Sequence, residues 1–336
     1  MSLAPSSKPN RALIFGISGQ DGAYLAQLLL DKGYSVHGTS RDREMSSFAN
    51  LHRLGIADRV TLHSAVPSDF HSVLQVIDQV APGEIYNLAS QSSVGLSFEQ
   101  PMETLHSTID GTINILEALR ILRRDTRFYS ASSSECFGNT GNTGGNCRAN
   151  ETAPFQPRSP YGVGKAAAFW AVANYREAYG LFACSGILFN HESPLRPVRY
   201  VTQKIVRGVV DIAEGKAESL RLGQLAIRRD WGWAPEYVEA MWLMLRHDRP
   251  EDFVIATGEE HSLEDFVAQT FAHAGLDWRR YVVTDPALLR PTDISHSVGD
   301  PEKARRVLGW HAQIRMPELV ARLVEAELLR RRQKPE

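Results

Sequence analysis

Four side chains in two short stretches could carry acid–base chemistry. In Ser159-Pro160-Tyr161-Gly162-Val163-Gly164-Lys165 a tyrosine and a lysine stand four positions apart. On a helix that spacing puts both side chains on one face. An ammonium beside a phenol favours the phenolate, so the pair predicts a tyrosine pKa lowered from about 10 towards neutrality. Tyr161 is then a candidate base for a substrate hydroxyl. Upstream, Ser132-Ser133-Ser134-Glu135 offers hydroxyls and a carboxylate. The Tyr–Lys spacing also fits an ordinary amphipathic helix, and Glu135 alone fits an exposed strand end. What sets them apart is the company they keep.

The elements that must position them begin at the N-terminus. Arg11-Ala-Leu-Ile-Phe15 has the apolar character of a strand, Gly16-x2-Gly19-x2-Gly22 follows, and Tyr24 to Leu30 has helical periodicity. Strand, glycine turn and helix form a cradle for a pyrophosphate: the turn allows close backbone approach, and the helix start offers free N–H groups and the positive end of its dipole. A second strand, Ser35 to Ser40, leads into Arg41-Asp42-Arg43. An acid here accepts from the ribose hydroxyls of NAD, and arginine pairs with the extra phosphate of NADP. Two arginines around one aspartate favour NADP and leave NAD possible; the run also reads as a solvated turn.

The alternation continues with strands expected at 59–63, 84–89 and 126–131 and helices at 70–80 and 101–120. Repeated βα units imply an α/β fold with a doubly wound parallel sheet, ligands lying outside the carboxyl ends of its strands. Asn87, Gln91 and Ser132 to Glu135 are expected at that edge. The Gly-, Asn- and Thr-rich stretch 138–152 reads as a loop, either a lid over the site or a plain insertion. Residues 1–10 read as a leader outside the fold. Cys136 reads as a small apolar filler, and Trp231, Trp233 and Trp242 read as core.

Bulk properties exclude several classes. Of 336 residues, 43% are hydrophobic and 23% charged, ordinary for a soluble enzyme. With 37 basic and 39 acidic residues, no nucleic-acid partner is advertised. Three cysteines without metal-ligand spacing suit a reducing compartment, and no apolar run suggests a membrane partner. A cytoplasmic, metal-free protein is expected.

The glycine turn, Tyr161-x3-Lys165 and the serines at 132–134 resemble the extended short-chain dehydrogenase/reductases that act on sugar nucleotides. Within them the chain resembles the GDP-mannose 4,6-dehydratase family, on Gly16 to Leu25, Glu84 to Leu88, Pro157 to Gly162, Gly186-Ile-Leu-Phe-Asn-His-Glu-Ser-Pro194, Arg229-Asp-Trp-Gly232 and Tyr237 to Leu245. Phe-Asn-His-Glu-Ser-Pro is far more specific than the glycine turn.

The resemblance implies a Rossmann domain over 11–189, rejoined by 236–260, and a smaller α/β nucleotide-sugar domain over 190–235 and 261–330. It implies a dinucleotide held by Gly16, Gly19, Gln20, Asp21, Gly22, Arg41, Leu88, Ser92, Tyr161, Lys165 and His191. The sugar nucleotide would meet Ser92, Glu135, Asn190, Val201, Lys204, Arg229, Arg290 and Asp293, with Arg229 and Arg290 clamping the diphosphate. Tyr161, assisted by Ser133 and Lys165, would take the C4 hydroxyl proton as hydride leaves C4. Glu135 would then remove the C5 proton and protonate the departing C6 hydroxyl before hydride returns to C6. A homodimer or homotetramer built on a helix pair is implied as well.

Departures from the family pattern are Val66-Pro67 for Asp-Leu, Asp42 for a second arginine, Asp293 and Ser295 for Glu and Asp, and Gln224 and Ala226 for Asn and Asp. They leave open a modified sugar such as a GDP-heptose, or another base. Two other readings stand beside the lyase: a reductase or epimerase acting on a 4-keto-6-deoxy nucleotide sugar, and a non-catalytic dinucleotide sensor. The terminal stretch Leu319 to Arg332 reads as an amphipathic helix with a solvated charged end.

Overall fold

The computed structural model describes residues 10–140 and 148–332. Most of the N-terminal leader, the centre of the 138–152 loop and Cys147 therefore lie outside the described residues. Strand β1 (Arg11–Phe15) runs into helix α1 (Gln20–Asp31), followed by β2 (Ser35–Ser40), the short α2 (Ala49–Arg53), β3 (Thr61–Ser64) and α3 (Phe70–Val80). Then come β4 (Glu84–Asn87), α4 (Val94–Glu99), the long α5 (Pro101–Leu122), β5 (Arg127–Ser133), α6 (Pro160–Tyr179) and β6 (Ala183–Leu188).

The expected doubly wound sheet is present. Its seven strands are all parallel, in the order β11, β6, β5, β4, β1, β2, β3, where β11 is Phe253–Ile255 and pairs with β6. Strands β1 and β4 are almost wholly buried, so they read as continuous apolar runs and not as alternation. One apolar layer packs α1 and α8 (Ala234–Arg246) on one face; a second packs α3, α5 and α6 on the other. β5 runs on to Ser133, and α1 begins at Gln20, directly on the glycine turn. Both shifts carry site residues to the strand ends.

The rest of the chain builds a smaller mixed unit. It contains β7 (Asn190–Glu192), α7 (Val201–Ala213), β8 (Leu220–Leu222), β9 (Arg228–Arg229) and β10 (Trp231–Trp233) before α8. After β11 come β12 (His261–Ser262), α9 (Leu263–His273), β13 (Val282–Thr284), β14 (His296–Ser297), α10 (Glu302–Leu308) and α11 (Met316–Arg332), of which α10 returns to the large sheet and packs Ala304 into the layer of α8. A separate apolar cluster unites α7, α9 and α11 around Val206, Phe266 and Leu319. Trp231 is buried within it.

Asp230 ties the two parts together. Its carboxylate accepts from Thr257 N and Oγ1 at 2.9 and 2.7 Å and from Gly258 N at 2.9 Å. The charged end of α11 is not solvated as expected: Arg331 pairs with Asp211, Glu214 and Glu327, and Arg330 with the buried Glu327. Glu327 lies on α11 itself, whereas Asp211 and Glu214 come from α7 and its C-terminal turn, out of view of a local pattern. Among the described residues no helix is long and apolar enough to cross a membrane.

Candidate active site

At the C-terminal edge of the sheet lies a cavity of about 810 Å³. Its floor is built by the end of β5. There Ser133 Oγ accepts from Glu135 N at 3.3 Å and caps a single 3-10 turn, Ser134–Cys136, which holds Glu135 at the cavity wall. Next to it α6 starts cleanly: Ser159 Oγ accepts from Gly162 N at 3.0 Å and Pro160 takes the first helical position, where its missing N–H costs nothing. Tyr161 and Lys165 therefore lie one turn apart on the buried face.

The electrostatics differ from the expectation. Lys165 Nζ donates to Ala131 O at 2.8 Å and lies 5.8 Å from the centre of the Tyr161 ring. Burial lowers the lysine to about 8. Burial also raises the Tyr161 pKa well above its ordinary value, against a smaller lowering by the Ser133 hydrogen bond. Desolvation, a property of the packed site, outweighs the cation that the helical spacing places nearby. Tyr161 is thus a neutral phenol in this state. Glu135 is likewise raised by burial, opposed by Arg229 and Arg290.

On one side of this set stands the glycine turn. Gly16 has φ +86°, and a Cβ there would meet Ala89 N and Leu88 C at 2.9 Å; one on Gly22 would meet Gly16 O at 2.4 Å. Positions 16 and 22 of the turn can be built only from glycine, with α1 seated directly on β1. Gly19 caps α1 without a side-chain hydrogen bond, leaving first-turn N–H groups free for an anion. These features fit the diphosphate of a nicotinamide dinucleotide, and Leu88, Tyr161, Lys165 and His191 line the same cavity.

On the other side stand groups from the smaller unit. Asn190 at the start of β7, Val201 and Lys204 on α7, Arg229, Arg290 and Asp293 all border the cavity, as does Ser92. Arg229 is not the free clamp expected of it. Its Nη1 donates to Ile294 O and Arg228 O at 2.6 and 2.9 Å, and its Nη2 to Asp293 Oδ1 at 3.0 Å. Much of the guanidinium fork is committed to the chain, so Arg229 acts mainly as fixed charge. Arg290 is freer, with one pairing to Asp293 at 3.4 Å.

Arg41 stands outside the cavity, 78% exposed and paired with Glu103 at 3.2 Å. Asp42 is used by its own turn, accepting from Glu44 N and Met45 N at 2.9 and 3.2 Å. Asn87 and Gln91 lie at the sheet edge but turn inward, to Thr112 and to Thr104 and Ser93 O.

Arg196 and Tyr200 are among the cavity residues that escaped the sequence reading. Arg196 lies 3.8 Å over the Tyr200 ring with its Nε 3.5 Å from the buried Glu192, and Tyr200 OH meets Ser92 Oγ at 2.7 Å. The available signal was the run Arg196-x2-Arg199-Tyr200, a cation four positions before an aromatic, directly after Phe-Asn-His-Glu-Ser-Pro.

A parallel nucleotide-binding sheet with Ser133, Tyr161 and Lys165 at its edge defines an extended short-chain dehydrogenase/reductase. Solved structures of that class have the same fold. A dTDP-glucose 4,6-dehydratase from Bacillus anthracis in complex with NAD matches with a TM-score of 0.81 and 20% identity, covering 95% of this chain and 97% of that one. RMD from Pseudomonas aeruginosa complexed with NADPH matches with a TM-score of 0.77 and 20% identity, over 96% and 98%. Within the class, the chain belongs to the GDP-mannose 4,6-dehydratase family, whose model matches residues 13–323. It is similar to GDP-mannose 4,6 dehydratase 2 of Arabidopsis thaliana, 45% identical over 94% of this chain and 86% of that protein. It is also similar to the Homo sapiens enzyme, 42% identical over 95% and 91%.

Proposed function

We propose that this chain removes water from GDP-mannose to give the GDP-4-keto-6-deoxy sugar, and that Ser133, Glu135, Tyr161 and Lys165 do the work. The observation that carries the reading is Glu135: a half-buried carboxylate, held by the Ser133 cap beside Tyr161, in a cavity between a dinucleotide turn and a cationic wall. A reductase or a sensor has no need of that second acid–base group.

A nicotinamide dinucleotide held by Gly16, Gly19, Gly22 and Leu88 would supply the hydride acceptor and donor for C4 and C6, and its oxidised form would add positive charge to the site. That charge and Lys165 oppose the burial that keeps Tyr161 neutral, so Tyr161 can accept the C4 hydroxyl proton, with Ser133 as its hydrogen-bond partner. The resulting 4-ketone acidifies C5–H. Glu135 removes that proton, and as its raised pKa lets it hold the proton, it passes it to the departing C6 hydroxyl. As hydride returns to C6, C5 takes back a proton, the one Tyr161 removed from the C4 hydroxyl, which keeps the 4-ketone and restores Tyr161 for the next turnover. Arg290 and Lys204 provide charge for the diphosphate, and Arg229 fixes Asp293 and faces Glu135.

NADP is the preferred dinucleotide. Asp42 is committed to its own turn and is a poor acceptor for ribose hydroxyls, whereas Arg41 and Arg43 stay exposed just after β2. The ion pair of Arg41 with Glu103 is a weak surface pair that a phosphate can displace. We also read the chain as a homo-oligomer, since Val163, Trp170 and Tyr179 on α6 and Met102 and Ile121 on α5 are exposed apolar groups.

The test is incubation of purified protein with GDP-mannose and, separately, other nucleotide sugars, following product mass. Loss of one water from GDP-mannose without net dinucleotide consumption is the expected result. Consumption of NADPH on a 4-keto sugar, with no water lost from any sugar, would make the reductase the better account.

A further inference from the structure

The first turn of α1 carries an apparent contradiction. Asp21 is its second residue, so a carboxylate stands where a diphosphate is to be held. The structure compensates that charge from another part of the fold. Asp21 Oδ2 lies 2.9 Å from His191 Nε2, and His191 Nδ1 lies 2.7 Å from Phe189 O. A carbonyl oxygen only accepts, so Nδ1 carries a proton. With Asp21 held ionised by its lowered pKa, a neutral ring would turn the lone pair of Nε2 towards a carboxylate, whereas the imidazolium satisfies both contacts. The ring is 7% exposed and stacks on Tyr237 with centres 4.6 Å apart.

The pairing also joins the two halves of the cavity. Gln20 Nε2 donates to Asp21 Oδ1 at 2.9 Å and to His191 O at 3.2 Å, and Ser193 Oγ donates to Gln20 Oε1 at 2.8 Å. Gln203 on α7 donates to Ser193 O at 2.9 Å. The glycine-turn helix is thereby stitched to the segment that carries Asn190 and to the helix that carries Lys204.

We propose that His191 is a positioning residue: as an imidazolium it cancels the charge of Asp21 at the dinucleotide turn and holds that turn against β7, so that dinucleotide affinity depends on the His191 proton. The inference rests on the reading that a dinucleotide binds at this turn. The groups facing the pair are Arg196 from the loop after β7, Tyr237 from α8, Tyr24 from α1, Tyr129 from β5 and Lys165 from α6. Burial pulls the imidazole down and Asp21 outweighs it, leaving His191 above its ordinary value; Asp21, raised by burial, is brought below its own by His191.

The experiment is NADPH binding, followed by its fluorescence on the whole protein from about pH 6 to about pH 10. In parallel, the His191 ring proton is titrated by NMR, its signal identified by its loss in His191→Gln. The expected result is a dissociation constant that rises roughly tenfold as His191 loses its proton, as one uncancelled charge near the diphosphate requires. Asp21→Asn, whatever its absolute affinity, shows no such rise with pH. His191→Gln binds weakly throughout, with no such rise. Lys165 also deprotonates in this range and is retained in Asp21→Asn, so a rise of equal size in that variant assigns the effect to Lys165 and overturns the proposal. Wild-type binding that is tight and flat, or a neutral His191 at about pH 6, overturns it too. Absence of NADPH binding at every pH removes the dinucleotide reading itself, and the proposal with it.

Discussion

Replacing Glu135 by Gln keeps the volume of the side chain and removes its basicity. The carboxylate hangs from a 3-10 turn fixed by Ser133, and Arg229 and Arg290 face it. The neighbouring carboxylate that acts on it, Asp293, cannot take over. Its Oδ1 already accepts from Arg229 at 3.0 Å, Arg290 at 3.4 Å and Ile294 N at 2.9 Å. General acid–base groups contribute about 10²- to 10⁴-fold. With no substitute at hand the loss should fall in the upper part of that range, about 4 to 5.5 kcal/mol of barrier. The assay is water loss from GDP-mannose together with deuterium uptake at C5 from D2O. Glu135→Gln should still form the 4-ketone while both water loss and C5 exchange disappear. In the wild type the acid limb of kcat/KM should lie above the ordinary carboxylate value of 4.5, because burial raises Glu135. Arg290→Ala, which removes an opposing cation, should move that limb higher still. A Glu135→Gln enzyme within tenfold of the wild type that still exchanges C5–H would refute the reasoning.

Three further outcomes follow from the same geometry. Lys165→Met should abolish C4 oxidation yet raise thermal stability: holding the ammonium with its value lowered from 10.5 to about 8 costs about 3 kcal/mol, of which the lost bond to Ala131 O returns about 1. By the same linkage, wild-type stability should rise with pH between about 8 and 10.5, as folded Lys165 sheds a proton the unfolded chain keeps, and calorimetry of both proteins checks it. Gly22→Ala should lower the melting temperature because its Cβ meets backbone at 2.4 Å, whereas Gly19→Ala, whose Cβ meets only Gly16 O at 3.3 Å, should melt like the wild type and bind NADPH more weakly. Arg41→Ala should weaken NADPH roughly tenfold and leave NADH unchanged, the difference being one charge-assisted contact; equal effects on both would remove the case for NADP.

How much was legible in the sequence depended on the range of the interaction. The glycine turn was readable because its demands are steric and local: positive φ at Gly16 and contact at Gly22 are decided within the turn and the strand beside it. The helical spacing of Tyr161 and Lys165 was readable for the same reason. Their protonation was not, because burial depends on everything packed above them, and it reversed the direction expected for the phenol. The commitment of Arg229 to Ile294 O, 65 positions away, was likewise hidden, as was the pairing of Arg331 with Glu214, 117 positions away. Arg196 drew no reading from the sequence, and its role shows only with Glu192 and Tyr200 packed round it.

The central claim is that one hydride leaves C4 and comes back to C6 within a single bound sugar. Its most direct test uses GDP-mannose carrying deuterium at C4, with the product analysed by mass and NMR. The account predicts loss of one water with the deuterium recovered at C6 of the same molecule. Deuterium lost to solvent, left at C4 or carried away on released dinucleotide would contradict it.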